Sequence, residues 1–147
     1  MSDASYFIDT SALFKRYINE TGTEKIDSLF NCTGLFIISS LTIIEFISNL
    51  RRLADVDRII DNNTFNAIRN TFLNDIAAGL LKVEAVSSLN IVTAADLIGK
   101  SYVTTIDSII LAAAINLKEN NENLSFVCSD LKLCSLAENM GMYVLKI

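Results

Sequence analysis

Apolar positions follow two rhythms along the chain. Short solid runs suit buried strands, and longer stretches with apolar residues every third or fourth position suit helices. Residues 5–8 read as a buried strand, followed by a helix from Thr10 to Asn19 with Leu13, Phe14, Tyr17 and Ile18 on one face. Thr21-Gly22-Thr23-Glu24 fits a capping box opening a second helix with Ile26, Leu29 and Phe30 inward. Gly34 precedes Leu35-Phe36-Ile37-Ile38, a run suited to a strand covered on both faces. Ser39-Ser40 opens a helix carrying Leu41, Ile44, Glu45, Ile47, Ser48 and Leu50, and residues 54–63 are polar enough for a turn. A long helix is expected over 64–80, a short strand or connector over 81–86, and a helix over 89–99 that stops at Gly99. Another helix spans about 106–119. A buried strand follows at 124–128, then a helix at 131–139 ended by Gly141, and a last strand at 143–145. Strands alternating with helices predict an α/β fold with a mostly parallel sheet.

Four acids stand out against this pattern. Asp9 ends the first strand, Glu45 and Asp107 sit among isoleucines early in their helices, and Asp130 lies between a strand and a helix. In a parallel α/β sheet, ligand chemistry gathers outside the carboxyl ends of the strands. Acids at those junctions converge on one pocket, where a divalent cation relieves their repulsion. Each acid also has a plain structural explanation. Asp9 and Asp130 suit helix N-termini, while Thr42-x-x-Glu45 and Thr104-x-x-Asp107 suit capping boxes. Glu45 and Asp107 tip the balance, because an acid in apolar company is costly to bury without a strong partner. Metal-dependent cleavage of a phosphodiester is the simplest chemistry for such a pocket.

Composition narrows the options. A chain of 147 residues with 51% apolar content suits one domain spanning 1–147 with an ample core. The mean hydropathy of +0.40 is high enough to suggest apolar surface buried against another chain. The longest apolar run, Ile109 to Ile115, falls short of the ~20 residues needed to cross a bilayer. Met1-Ser2-Asp3-Ala4 lacks the basic and apolar regions of a signal peptide. Cys32, Cys128 and Cys134 form no CxxC and read as small buried residues of a reducing compartment, so a cytoplasmic location is expected. The absence of histidine excludes Ser-His-Asp and Cys-His catalysis and imidazole zinc sites. A net charge of −5 argues against tight, non-specific nucleic-acid binding but is compatible with a metal-neutralised nuclease site.

Other signals carry less. Gly99-Lys100-Ser101 shares the end of a phosphate-binding loop, but the required earlier glycine is Ala94. Aspartyl-phosphate hydrolases need a second acid two residues after the first, where this chain has Ser11. Lys15-Arg16 and Arg51-Arg52 lie about two turns beyond Asp9 and Glu45 and read first as solvated, ion-paired helix faces.

Four segments together resemble the PIN-domain family, and within it the small VapC-type toxins. They are Phe7-Ile8-Asp9-Thr10-Ser11-Ala12-Leu13, Ser39-Ser40-Leu41-Thr42-Ile43-Ile44-Glu45, Thr105-Ile106-Asp107-Ser108, and Cys128-Ser129-Asp130 leading to Leu136-Ala137-Glu138-Asn139-Met140-Gly141. The resemblance covers nearly the whole chain and rests on the ordered set. It implies a three-layer α/β/α sandwich, a catalytic and metal-binding quartet of Asp9, Glu45, Asp107 and Asp130, and endoribonuclease activity. Ser11 matches a hydroxyl that supports the first acid. The family often has threonine two residues before the last acid; here that position is Cys128, with Ser129 adjacent as a supporting hydroxyl. Ser108 stands where alanine is common. The resemblance further implies a small antitoxin partner and a homodimer, with helices near residues 41–80 as the expected interface.

The leading expectation is therefore a toxin that hydrolyses RNA with Mg²⁺ or Mn²⁺, the hard cations that oxygen ligands favour. Asp9, Glu45 and Asp107 hold a first ion, and Asp130 completes that site or helps to hold a second. Water activated at such a site takes the place of an imidazole base. The alternative is a non-catalytic PIN-like module that binds a protein partner. A third option is hydrolysis of a small phosphate ester.

Overall fold

The computed structural model describes residues 3–147; Met1 and Ser2, part of the N-terminal segment considered above, lie outside it. The described residues form five strands and seven helices. In order they are β1 (Ser5–Ile8), α1 (Thr10–Tyr17), α2 (Thr23–Phe30), β2 (Leu35–Ser39), α3 (Ser40–Asp55), α4 (Asn62–Ala77), β3 (Lys82–Glu84), α5 (Ser88–Lys100), α6 (Thr105–Lys118), β4 (Leu124–Cys128), α7 (Leu131–Asn139) and β5 (Tyr143–Lys146). The strands make one sheet in the order β3-β2-β1-β4-β5, with every pair parallel.

Alternation along the strands sorts the core into two halves. Phe7, Ile37, Phe126 and Cys128 face a cluster with Leu97, Ile110, Leu111 and Leu133. Ile8, Phe36, Ile38 and Val127 face a second cluster with Leu13, Ile26, Phe46 and Phe72. Helices α5, α6 and α7 thus cover one face and α1 to α4 the other, giving three layers. The topology accounts for this division. The chain runs from β1 outward to β2 and β3, then returns past β1 to β4 and β5. Crossovers between parallel strands keep one hand, so reversing direction moves the helices to the opposite face.

Several local expectations change. Thr21 to Glu24 does not form a capping box: the N-cap of α2 is Gly22, and no side chain caps it. The Thr23 hydroxyl instead donates to the carbonyls of Lys15 and Ile18. Helix α5 runs through Gly99 and ends after Lys100, at an extended Ser101. Helix α3 continues to Asp55, and α4 starts at Asn62 behind the cap Asp61. Gly141 does stop α7, with φ +83° in the left-handed region where glycine costs least. The cysteines differ from three separate buried thiols. Cys128 and Cys134 are buried and joined by a disulfide, with Cα atoms 6.1 Å apart, and Cys32 is exposed. No single described helix is long and apolar enough to cross a membrane. The run Ile109 to Ile115 lies within α6, where residues 110–114 are buried.

Candidate metal centre

The reversal of chain direction falls between β1 and β4, which pair directly. Such a switch point opens a crevice at the carboxyl edge of a parallel sheet. Asp9 leaves β1 at that edge, its backbone N–H donating to the Val127 carbonyl at 2.8 Å and so extending the ladder by one residue. Its backbone takes the N-cap position of α1, but its side chain caps nothing. The carboxylate is buried, 2% exposed, and turned into the crevice. Ser11 Oγ donates to Oδ2 at 2.5 Å, while Oδ1 is buried with no hydrogen-bond partner.

Glu45 arrives from α3 and Asp107 from α6. Helix α3 is capped by Ser39, whose side chain accepts from the Leu41 N–H, so Thr42 and Glu45 do not form a capping box. Thr42 is buried and accepts a hydrogen bond from Thr10 Oγ1 at 3.1 Å, tying α1 to α3 beneath the acids. Asp107 lies in the first turn of α6, where its N–H donates to the N-cap Thr104 at 3.4 Å. One carboxylate oxygen from each of Asp9, Glu45 and Asp107 lies within 4.8 Å of the other two. Asp130 is outside this trio, though its charge reaches Asp107. It caps α7, with Oδ1 accepting from the Leu133 N–H at 3.0 Å.

Proton affinity records the crowding. Burial, above all, pushes the Asp9 carboxyl up to about 7; the Asp107 and Glu45 charges add to the rise, and the Ser11 bond offsets part of it. Glu45 is raised by burial and by Asp107, with the Thr10 hydroxyl opposing. Asp107 is raised by burial and by Asp130, with Thr104 opposing.

These residues suit a hard divalent cation on two grounds. The donors are all carboxylate oxygens, and Asp9 Oδ1 has no other partner. Mg²⁺ and Mn²⁺ take such hard oxygen donors, and Asp9, Glu45 and Asp107 would be the residues to hold one.

The supporting serines divide. Ser11 touches Asp9 directly. Ser129 instead lines a cavity of about 340 Å³ on the α1–α3 side, together with Ser11, Lys15 and Arg52. All four basic residues noted in the sequence are ion-paired: Lys15 with Glu20, Arg16 with Asp27, Arg51 with Asp55 and Arg52 with Asp57. Thr10 and Thr42 are further supports, which the motifs of the sequence do not mark. Their signal was available: each is a small polar residue at a helix position that must face inward. On the opposite side, a second cavity of about 310 Å³ shares Asp107 and Asp130 in its wall.

Comparison with known proteins agrees with this architecture. The PIN domain family matches residues 6–138, so the chain belongs to the PIN-domain family. Among solved structures, the fold is similar to DNA-bound VapBC from Salmonella typhimurium, with TM-score 0.65, 15% identity, and 97% and 98% of the two chains covered. It is also similar to FitAcB from Neisseria gonorrhoeae, with TM-score 0.66, 12% identity and 96% of each chain covered. A domain of a functionally unknown protein from Methanocaldococcus jannaschii aligns with TM-score 0.53 and 19% identity, covering 98% of this chain and 91% of the other. At these identities the likeness is one of fold. No curated protein sequence matches the chain.

Proposed function

We propose that this protein is a metal-dependent endoribonuclease and the toxin of a toxin–antitoxin pair. One observation carries the catalytic part: three carboxylates from three separate elements meet within 4.8 Å at the sheet's switch point. Membership of a family of nucleases agrees with it. Asp9, Glu45 and Asp107 would hold Mg²⁺ or Mn²⁺, with Asp130 at the margin. A bound ion of this kind supplies Lewis-acid charge and a more acidic water for phosphodiester hydrolysis. Ser11 fixes one Asp9 oxygen, and the Thr10–Thr42 bond holds the helices that carry Asp9 and Glu45 in register.

The toxin assignment draws support from the VapBC and FitAB complexes among the structural neighbours, two of the VapBC complexes being bound to DNA. By that analogy the partner is a small antitoxin. A homodimer through residues 41–80 and action on RNA in the cytoplasm complete the proposal. Exposed Ile44, Val56 and Ile59 in that segment support the dimer.

The test is cleavage of a structured RNA pool by wild type, Asp9→Asn and Asp9→Asn/Asp107→Asn, with Mg²⁺, Mn²⁺ or chelator. Metal-dependent cleavage that falls at least about 100-fold in the variants is expected, as for loss of one major electrostatic contact. Full cleavage by the double variant would refute the site. Metal binding by wild type without cleavage of any RNA would move the weight to a non-catalytic, partner-binding module.

A further inference from the structure

The cavity that shares Asp107 and Asp130 has more to it than a passage to the acids. Its volume, about 310 Å³, lies at the small end of ligand pockets and suits one flat ring system rather than a helix or duplex. Buried Val103 and Leu133 contribute apolar wall. Tyr102, in the α5–α6 turn, also lines it and is 73% exposed. Lys132, in the first turn of α7, places Nζ 5.2 Å from the centre of the Tyr102 ring. Unlike the four basic residues flanking the acids, Lys132 makes no ion pair among the described residues. Ser135 and Asn139 add polar groups along α7.

We infer that this cavity is the subsite for one unpaired nucleobase of the RNA, next to the phosphodiester held at the carboxylates. This rests on the nuclease function proposed above. Tyr102 stacks on the face of the base, Lys132 meets the neighbouring phosphate, and Ser135 and Asn139 meet the base edge. Single-stranded RNA is recognised in this manner, by stacking on aromatic rings and hydrogen bonds to exposed edges. The charge of the molecule favours the same choice. A chain of net charge −5 with carboxylates at its centre gains little from counterion release, so its affinity must come from contacts that salt does not screen. Stacking is such a contact. The base subsite also explains why a protein with so little free positive charge near its acids can hold RNA there.

The experiment is fluorescence anisotropy of labelled single-stranded hexaribonucleotides in chelator, so that binding is read without cleavage. Wild type, Tyr102→Ala and Tyr102→Phe are each titrated with the intact oligonucleotide and with versions made abasic at one position in turn. Because Tyr102 is exposed, both variants should fold. The expected result is about tenfold weaker binding for Tyr102→Ala, near-normal binding for Tyr102→Phe, and a shallow salt dependence. One abasic position should weaken wild type to a similar degree and add nothing in Tyr102→Ala. Equal binding by wild type and Tyr102→Ala, in a protein that cleaves RNA with metal, overturns the subsite and leaves the nuclease reading standing. A wild type that neither binds nor cleaves RNA removes both. Loss in Tyr102→Ala of binding to a protein partner, with RNA binding unchanged, assigns the cavity to that partner and also overturns the inference.

Discussion

Asp9 is a buried carboxyl group with one oxygen satisfied by Ser11 and the other without a hydrogen-bond partner. Without a cation, the protein can relieve it only by keeping a proton. Its carboxyl is pushed up to about 7 by burial and by its two acidic neighbours, from 3.8 for a free side chain. Between those values the folded state holds a proton that the unfolded state has released. The contribution of Asp9 to stability therefore falls as pH rises from about 4 to about 7, with a slope of at most ~1.4 kcal/mol per pH unit, and levels off above. Glu45 and Asp107, also raised, add to the slope in the same direction. Thermal melts in chelator between pH 4.5 and 8 should show this decline. Asp9→Asn should flatten much of it and be the more stable protein at pH 8. Mg²⁺ or Mn²⁺ should raise the wild-type melting temperature at pH 8 and do little for the variant. Parallel pH curves for the two proteins would show that Asp9 carries no proton in the folded state.

At the scale of elements, the acids are held by what lies behind them. Phe46 follows Glu45 on α3 and is fully buried. Its ring centre is 5.3 Å from those of Phe14 and Tyr17 on α1 and 4.0 Å from that of Phe72 on α4. Tyr17 also donates to Asp75 of α4 at 2.6 Å; burial first, and then this bond, raise its phenol strongly. Phe46→Ala should cost about 3–5 kcal/mol in urea unfolding and weaken metal binding by loosening Glu45, while Phe46→Leu should cost less. A loss below 1 kcal/mol would mean that α3 is positioned by something other than this cluster. Much of this was legible in the sequence, because strands buried on both faces are solid apolar runs, Asp9 and Asp130 follow two of them, and Glu45 and Asp107 stand among apolar residues early in their helices. The features that could not be read depend on contacts that no spacing rule describes. Thr23 has the form of a capping-box residue but is claimed by the carbonyls of Lys15 and Ile18. Gly99 looks like a stop signal, yet α5 runs one residue past it, to Lys100. The spacing of Cys128 and Cys134 shows no pairing motif, and only the return of α7 onto the sheet brings them together. Tyr102 and Lys132 meet across two turns that no periodicity relates.

For the whole molecule, the proposed self-association is a question of exposed apolar surface. The core is well filled, yet Val56 and Ile59, in the short turn between α3 and α4, remain 70% and 71% exposed. Burying a side chain of this kind against another surface contributes roughly 1.5–3 kcal/mol. In a two-fold dimer every interface residue is used twice, so a single substitution is felt on both sides. A dimer built through this turn and the flanking helices should therefore be sensitive to one charge and insensitive to changes elsewhere. Light scattering during size exclusion should give twice the 16.2 kDa chain mass for wild type at micromolar concentration. Ile59→Asp should run as a monomer with an unchanged thermal melt at low protein concentration, because the residue contributes little to the fold of its own chain. Leu89→Asp, a comparable substitution at an exposed leucine of α5 outside the segment, should stay dimeric. A wild type that is monomeric at tens of micromolar would remove the dimer altogether. A dimer broken by Leu89→Asp and not by Ile59→Asp would move the interface to α5.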